Sequence, residues 1–184
     1  VGMANLPALP STLTRFEIYG LPQIQELPTL GDNLISVSIG DCKKLQNLPR
    51  LPDSIERLEL ERLPKLSKVS ALPHSLTELV VDRCHRLSEL PQLPLALTAL
   101  TVENCNQMRV LSLPQNLSAL RVKHCKALVS LGEQSQSTTT ALTSLWLTDC
   151  PSLTSMPTVT RALQSLQISS CPGIDVVRFT MLSL

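Results

Sequence analysis

Aromatic residues are nearly missing from this chain: one tryptophan, one tyrosine and two phenylalanines among 184 residues. A core with so few rings must be filled by aliphatic side chains set at recurring places. Only 6 glycines occur, beside 14 prolines. An excess of either charge is missing too. Sixteen basic and fifteen acidic residues leave a net charge of +1, so no whole-chain field favours nucleic acid or an anionic membrane. No run of about 18 apolar residues exists, which excludes a bilayer-spanning helix. The opening stretch VGMANLPALP lacks the charged and apolar regions of a secretory leader. There is no C-x-x-C, no glycine-rich phosphate loop and no paired-carboxylate signature, so neither zinc nor nucleotide chemistry is indicated.

What the chain has instead is a repeat, cleanest at residues 76–97, LTELVVDRCHRLSELPQLPLAL. The leading aliphatic position recurs at Leu13, Leu34, Ile55, Leu76, Leu97, Leu117, Leu142 and Leu163, in steps of 21, 21, 21, 21, 20, 25 and 21. Three residues later stand Phe16, Val37, Leu58, Leu79, Leu100, Leu120, Leu145 and Leu166. Two further on come Ile18, Ile39, Leu60, Val81, Val102, Val122, Leu147 and Ile168. That period-two pair predicts one short strand per unit, with alternate side chains on one face. A period near 21 predicts a solenoid, in which neighbouring units share one continuous core.

The second half of each unit is equally regular. Ile24, Leu45, Leu66, Leu87, Met108, Leu128, Leu153 and Ile174 are followed three residues on by Leu27, Leu48, Val69, Leu90, Leu111, Leu131, Met156 and Val177. Proline then follows in several units (Pro28, Pro49, Pro91, Pro157), and a second set (Pro52, Pro73, Pro94, Pro114) precedes the next strand. Proline fixes φ and removes a donor, so these return segments are expected to be extended or polyproline-like, with few or no helices and a short 3₁₀ turn at most. Eight repeats therefore span 13–177. The polar stretch at 132–141 is an insertion expected to loop out on the return side. Residues 1–12 read as the tail of a preceding repeat or an improvised cover, and 178–184 as a C-terminal cover or the start of a ninth repeat. The eight strands should span roughly 34 Å at about 4.8 Å each.

The unit resembles a leucine-rich repeat over residues 6–177, which implies a curved solenoid with one parallel strand per repeat on its concave side. The junctions from Leu48 to Ile55 and from Leu90 to Leu97, L-P-x-L-P-x-x-L, are similar to those of bacterial secreted effectors of the IpaH, SspH and YopM type. In that family the repeats recognise host proteins, often beside a ubiquitin-ligase domain. The resemblance implies a non-enzymatic substrate-recognition module, secreted by a bacterium into the host cytoplasm. Those effectors usually carry asparagine where this chain has cysteine. The segments 145–153 and 166–174, with the pattern L-x-I/L-x-x-C-P-x-L/I, resemble instead the repeats of plant intracellular immune receptors, which implies a ligand-sensing tail as the alternative.

All six cysteines (Cys42, Cys84, Cys105, Cys125, Cys150, Cys171) fall at one repeat position, where Leu21 and Leu63 stand in the other units. A site that accepts leucine is apolar, so a buried ladder of free thiols is expected rather than a metal site or disulfides, consistent with a reducing compartment. His74, His85 and His124 occupy three different repeat positions, which argues against a catalytic constellation. No catalytic residue, cofactor or metal is assigned. The single sequon at Asn116 and the hydroxyls between Ser135 and Thr140 read as ordinary loop residues.

Information about a partner lies in the letters that vary. With the aliphatic pair turned inward, Glu17, Ser38, Glu59, Val80, Thr101, Arg121, Trp146 and Gln167 face outward. So do Tyr19, Gly40, Glu61, Asp82, Glu103, Lys123, Thr148 and Ser169, with Glu78 in a third row. Glu59, Glu61, Glu78, Asp82 and Glu103 form an acidic patch around Val80, and Arg121 and Lys123 follow it. Trp146, the only tryptophan, is the sharpest candidate for a binding hot spot; stacking against Arg121 is the competing explanation. Tyr19 completes the candidate set. Lys43, Lys44, Arg62, Lys65, Arg83, Arg86 and Lys126 form a basic rim just after the strands, suited to steering a partner. The expected partner is a protein, a host protein under the effector reading, held on the concave face; no nucleic acid, membrane or small-molecule ligand is expected.

Overall fold

The structure, a computed structural model, describes residues 6–132, 141–157 and 162–174. Every expected strand position inside those ranges is a strand: β1 (Arg15–Tyr19), β2 (Ser36–Gly40), β3 (Arg57–Glu61), β4 (Glu78–Asp82), β5 (Ala99–Glu103), β7 (Ala119–Lys123), β9 (Ser144–Thr148) and β10 (Ser165–Ser169). They form one parallel sheet in chain order, eight strands wide. No helix occurs among the described residues. The molecule is a leucine-rich-repeat solenoid, with seven full turns between β1 and β10.

Register follows the repeat without a slip. Leu58 opposes Leu79, and Leu79 opposes Leu100. Leu100 opposes Leu120 across the 20-residue step, and Leu120 opposes Leu145 across the 25-residue step. Missing and additional residues are absorbed outside the strands, because a one-residue slip would turn every core aliphatic to solvent. The inward pair of each strand from β1 to β9 is buried, in one cluster running the length of the stack.

Each repeat turns two corners. After each strand the residue before the cysteine position takes positive φ: Gly20, Asp41, Arg62, Arg83, Asn104, His124, Asp149 and Ser170. A four-residue turn follows, closed in every unit by a bond such as Leu45 N–H to Cys42 C=O (3.2 Å) or Leu87 N–H to Cys84 C=O (3.0 Å). Before the next strand a second turn closes in the same way, as in Ile55 N–H to Pro52 C=O at 3.2 Å. The short 3₁₀ turn that the prolines allowed does not form among the described residues; isolated β-turns, which need only one bond each, close the corners.

The return segments are extended, with one addition. Val110–Leu111 (β6) and Ser130–Leu131 (β8) pair in parallel as a second small sheet, and Ser130 bridges to Ser155. These two units carry Ser112 and Gly132 where four others carry Pro28, Pro49, Pro91 and Pro157, and a third, with Ser70, lacks the proline without pairing. Gly132 N–H donates to Leu111 C=O at 2.7 Å, a bond that proline could not make. The insertion lies mostly outside the described residues (133–140), as do residues 1–5 and both proposed C-terminal readings of 178–184.

Candidate functional site

The outward residues stand in three straight rows across the sheet, because each strand pairs with the next at the same repeat position. Along the last row run Tyr19, Gly40, Glu61, Asp82, Glu103, Lys123, Thr148 and Ser169. The middle row runs Glu17, Ser38, Glu59, Val80, Thr101, Arg121, Trp146 and Gln167 over the same strands. All ten candidate residues, Glu78 in the first row included, therefore share one face.

At the β1 end the tyrosine lies down. A Cβ on Gly40 would come within 2.4 Å of the Tyr19 ring, so glycine here leaves the floor on which the ring rests. Lying flat brings Tyr19 Oη to within 3.4 Å of Glu59 Oε2, two strands away, and the Ser38 hydroxyl donates to the same oxygen at 3.1 Å. Burial raises the Tyr19 phenol pKa above its usual value, and Glu59 and Glu61 add to this against the opposing Ser38 bond.

In the centre the carboxylates are crowded but not bare. Asp82 accepts from Asn104 Nδ2 at 2.7 Å, and Arg83 lies 3.8 Å from it. Glu103 stands 3.9 Å from Lys123 Nζ, Glu61 3.5 Å from Arg62 and Glu78 3.4 Å from Arg57. Glu61 is held above the usual carboxylate range, first by burial and then by the neighbouring Glu59. Asp82 adds to the rise and the Arg62 contact opposes it.

Trp146 is half-buried and has both of its attachments. The Arg121 guanidinium sits 4.0 Å from the ring centroid, a cation–π stack, and the indole N–H donates to Ser165 Oγ at 3.0 Å. The stacking account given for this residue from sequence is what the geometry shows. The ring is thus held between Arg121 on β7 and Ser165 on β10.

Three features that the sequence reading set aside as scaffold have these places. The six thiols are free and buried. Each donates to the carbonyl two residues back, from Cys42 to Gly40 at 3.3 Å through Cys171 to Ser169 at 3.3 Å. That carbonyl already accepts from the corner N–H of the preceding repeat, for example Arg62 N–H to Asp82 C=O at 2.9 Å, which is why leucine is tolerated at the position. Burial pushes Cys84 and Cys105 up to about 12 and Cys150 to about 11, and raises Cys42 and Cys125 as well, so these thiols are poor nucleophiles. His124 Nδ1 pairs with Asp149 Oδ2 at 2.9 Å on the exposed corner, while Cys125 points into the core. Asn116 donates its amide to Leu95 C=O at 3.0 Å, a repeat-to-repeat tie.

Sequence reasoning missed the left-handed corner. Its signal was present, since Gly, Asp and Asn fill four of the eight places and these residues adopt positive φ most readily. Arg62, Arg83 and His124 obscured it. It also missed the hydroxyl ladder at the strand entrances, where Thr77, Thr98, Ser118 and Thr143 each donate to the carbonyl one repeat back.

No family model matches the chain, and no curated protein matches it. Among solved structures it is similar to a leucine-rich repeat protein from Bacteroides ovatus, at 17% identity and a TM-score of 0.48, over 91% of this chain and 58% of that one. It is also similar to the leucine-rich repeat protein of T. pallidum (15% identity, TM-score 0.37, 90% of this chain and 81% of the other). YopM from Yersinia enterocolitica matches at 21% identity and a TM-score of 0.32, over 91% of this chain and 54% of YopM. The chain thus spans little more than half the length of two of these three. Its own period and its one-strand-per-repeat parallel sheet carry the conclusion that the fold is a leucine-rich-repeat solenoid.

Proposed function

We propose that this chain is a protein-recognition module whose partner lies across the outward face of the eight-stranded sheet. The observation that carries this reading is the Arg121–Trp146 stack on the same sheet face as a row of closely spaced, half-buried carboxylates. An aromatic platform fixed before binding loses little freedom on contact, and fully paired strands leave only side chains to read. Trp146 and Arg121 anchor the partner, Lys123 and Tyr19 border it, and Glu59, Glu61, Glu78, Asp82 and Glu103 around Val80 select for positive charge.

Trp146→Ala, and separately Glu59→Lys with Glu61→Lys, should each weaken partner capture at least tenfold while the far-UV circular dichroism stays unchanged. Undiminished capture by both variants would move the site off this face. The finer reading places the module in a bacterial effector delivered into host cells, where it selects a host protein and leaves any ubiquitin-ligase chemistry to a separate domain. The L-P-x-L-P junctions support it. The Cys-Pro turns at 150–151 and 171–172 support the rival, a sensing tail of a plant immune receptor. Reading the complete open reading frame separates them, by a ligase domain downstream or a nucleotide-binding domain upstream.

A further inference from the structure

The two edges of the solenoid carry opposite charge. At the edge where strands end, the two tip residues of each turn are Pro22-Gln23, Lys43-Lys44, Pro64-Lys65, His85-Arg86, Asn106-Gln107, Lys126-Ala127, Pro151-Ser152 and Pro172-Gly173. They include five cations and no carboxylate. At the edge where strands begin, the six described turns carry Asp32 and Asp53 at their tips and no lysine or arginine. Lys44, Lys65 and Arg86 occupy one position in three successive repeats, a column about 10 Å long at one strand spacing per step. Among the described residues none of Lys43, Lys44, Lys65, Arg86 or Lys126 lies in an ion pair. Arg83 adds a sixth charge from the corner position. It holds φ 51 there, where Asn or Gly is more easily accommodated, and its one ion-pair contact among the described residues is that to Asp82 at 3.8 Å. The nearby carboxylates are mostly engaged, Asp41 and Glu61 with Arg62, Asp82 with Asn104, Glu103 with Lys123 and Asp149 with His124, and Glu89 stands further along the return segment.

We infer that this basic edge is a second interaction surface, separate from the outward face of the sheet, and that it docks an acidic segment of a protein. The side chains decide between polyanions. No Phe, Tyr or Trp stands at these turn tips to stack a base, and lysine rather than arginine supplies four of the five tip charges, so the edge offers mainly flexible point charges and few of the bidentate forks that favour phosphate. Among the described residues the exposed large apolar ones are Tyr19, Ile35, Leu95, Val110, Val129 and Leu166; none lies in an exit turn, so these turn tips offer no large apolar side chain to a bilayer. Flexible ammonium groups at a regular pitch fit a run of carboxylates, and the attraction weakens with salt.

The test is fluorescence anisotropy of a labelled eight-residue glutamate peptide titrated with the chain at low ionic strength. Lys44→Glu with Lys65→Glu and Arg86→Glu should weaken binding at least tenfold. A control with the same net charge, Arg15→Glu with Arg50→Glu and Arg57→Glu, should shift it less than threefold. Trp146→Ala should leave it unchanged, which separates this surface from the outward-face reading. The neutral triple variant to alanine, with its circular dichroism checked, guards against an effect of misfolding. Equal losses in the edge and control variants would reduce the effect to net charge and overturn the proposal. So would absence of peptide binding, or an edge-dependent binding confined to a single-stranded oligonucleotide or to phosphatidylserine vesicles.

Discussion

Along β4, Leu79 and Val81 face a core where their neighbours one repeat away are Leu58, Leu60, Leu100 and Val102. Glu78, Val80 and Asp82 on the same strand face outward beside Arg57, Glu59, Glu61, Ala99, Thr101 and Glu103. Inside, every turn of the stack supplies nearly the same volume, since each aliphatic residue packs against its own equivalents above and below. Outside, nothing has to match, and charge, size and polarity change from strand to strand. The inner face therefore determines whether the chain stacks, and the outer face what it can hold.

Breaking the inner face gives the largest effect. Leu79→Ala removes a side chain with no exposure and should cost about 2–5 kcal/mol, read as a fall in the denaturant midpoint. Because neighbours share the core, the loss should spread to adjacent repeats as faster hydrogen exchange. The same truncation outside, Val80→Ala, should stay within about 0.5 kcal/mol.

Gly40→Ala tests the one place where an outward residue has acquired a packing constraint. Its Cβ would collide with the Tyr19 ring, at a cost of about 1–3 kcal/mol if the ring resists. Tyr19→Ala in the same chain should restore most of the loss, a double-mutant cycle that isolates the contact. A smaller gain is expected at the corner. Arg83→Asn places a residue suited to positive φ where repeat five already uses Asn104, and should raise stability by about 0.5–1 kcal/mol, while weakening binding of the acidic peptide.

Smallest is the titration of the patch. Glu61 has its folded pKa raised by burial and by Glu59, so the folded state binds its proton more readily than the unfolded chain. Stability from this group is highest when it is protonated and falls as pH rises through the carboxylate range toward the raised value. Glu61→Gln should thus stabilise at neutral pH by less than about 1 kcal/mol, reduced by loss of the Arg62 contact, and the gain should vanish below the carboxylate range. Thermal melts of both proteins from pH 3 to 7 measure this.

Much of the fold was legible because a period-two pair repeated eight times leaves one way to bury every copy. The candidate face was legible as a set of alternate letters, but not its contacts. No spacing rule shows that Tyr19 lies across Gly40 to reach Glu59, or that the Trp146 indole N–H finds Ser165; the Arg121 stack was legible because the two residues share one row on adjacent strands. The pairing of β6 with β8 was hidden for a related reason: a missing proline permits a bond without dictating one.

By itself the sequence determined the stack, its register and the apolar role of the cysteines, since these follow from side-chain burial repeated at fixed spacing and each copy reinforces the others. Tertiary structure alone decided which outward charges are satisfied. Arg62 reaches Asp41, His124 reaches Asp149 and Asn104 reaches Asp82, while the lysines at the turn tips reach no partner among the described residues. Charge pairing depends on distances of a few ångströms between residues about 21 apart in the chain, and only the closed turns of the solenoid set those distances.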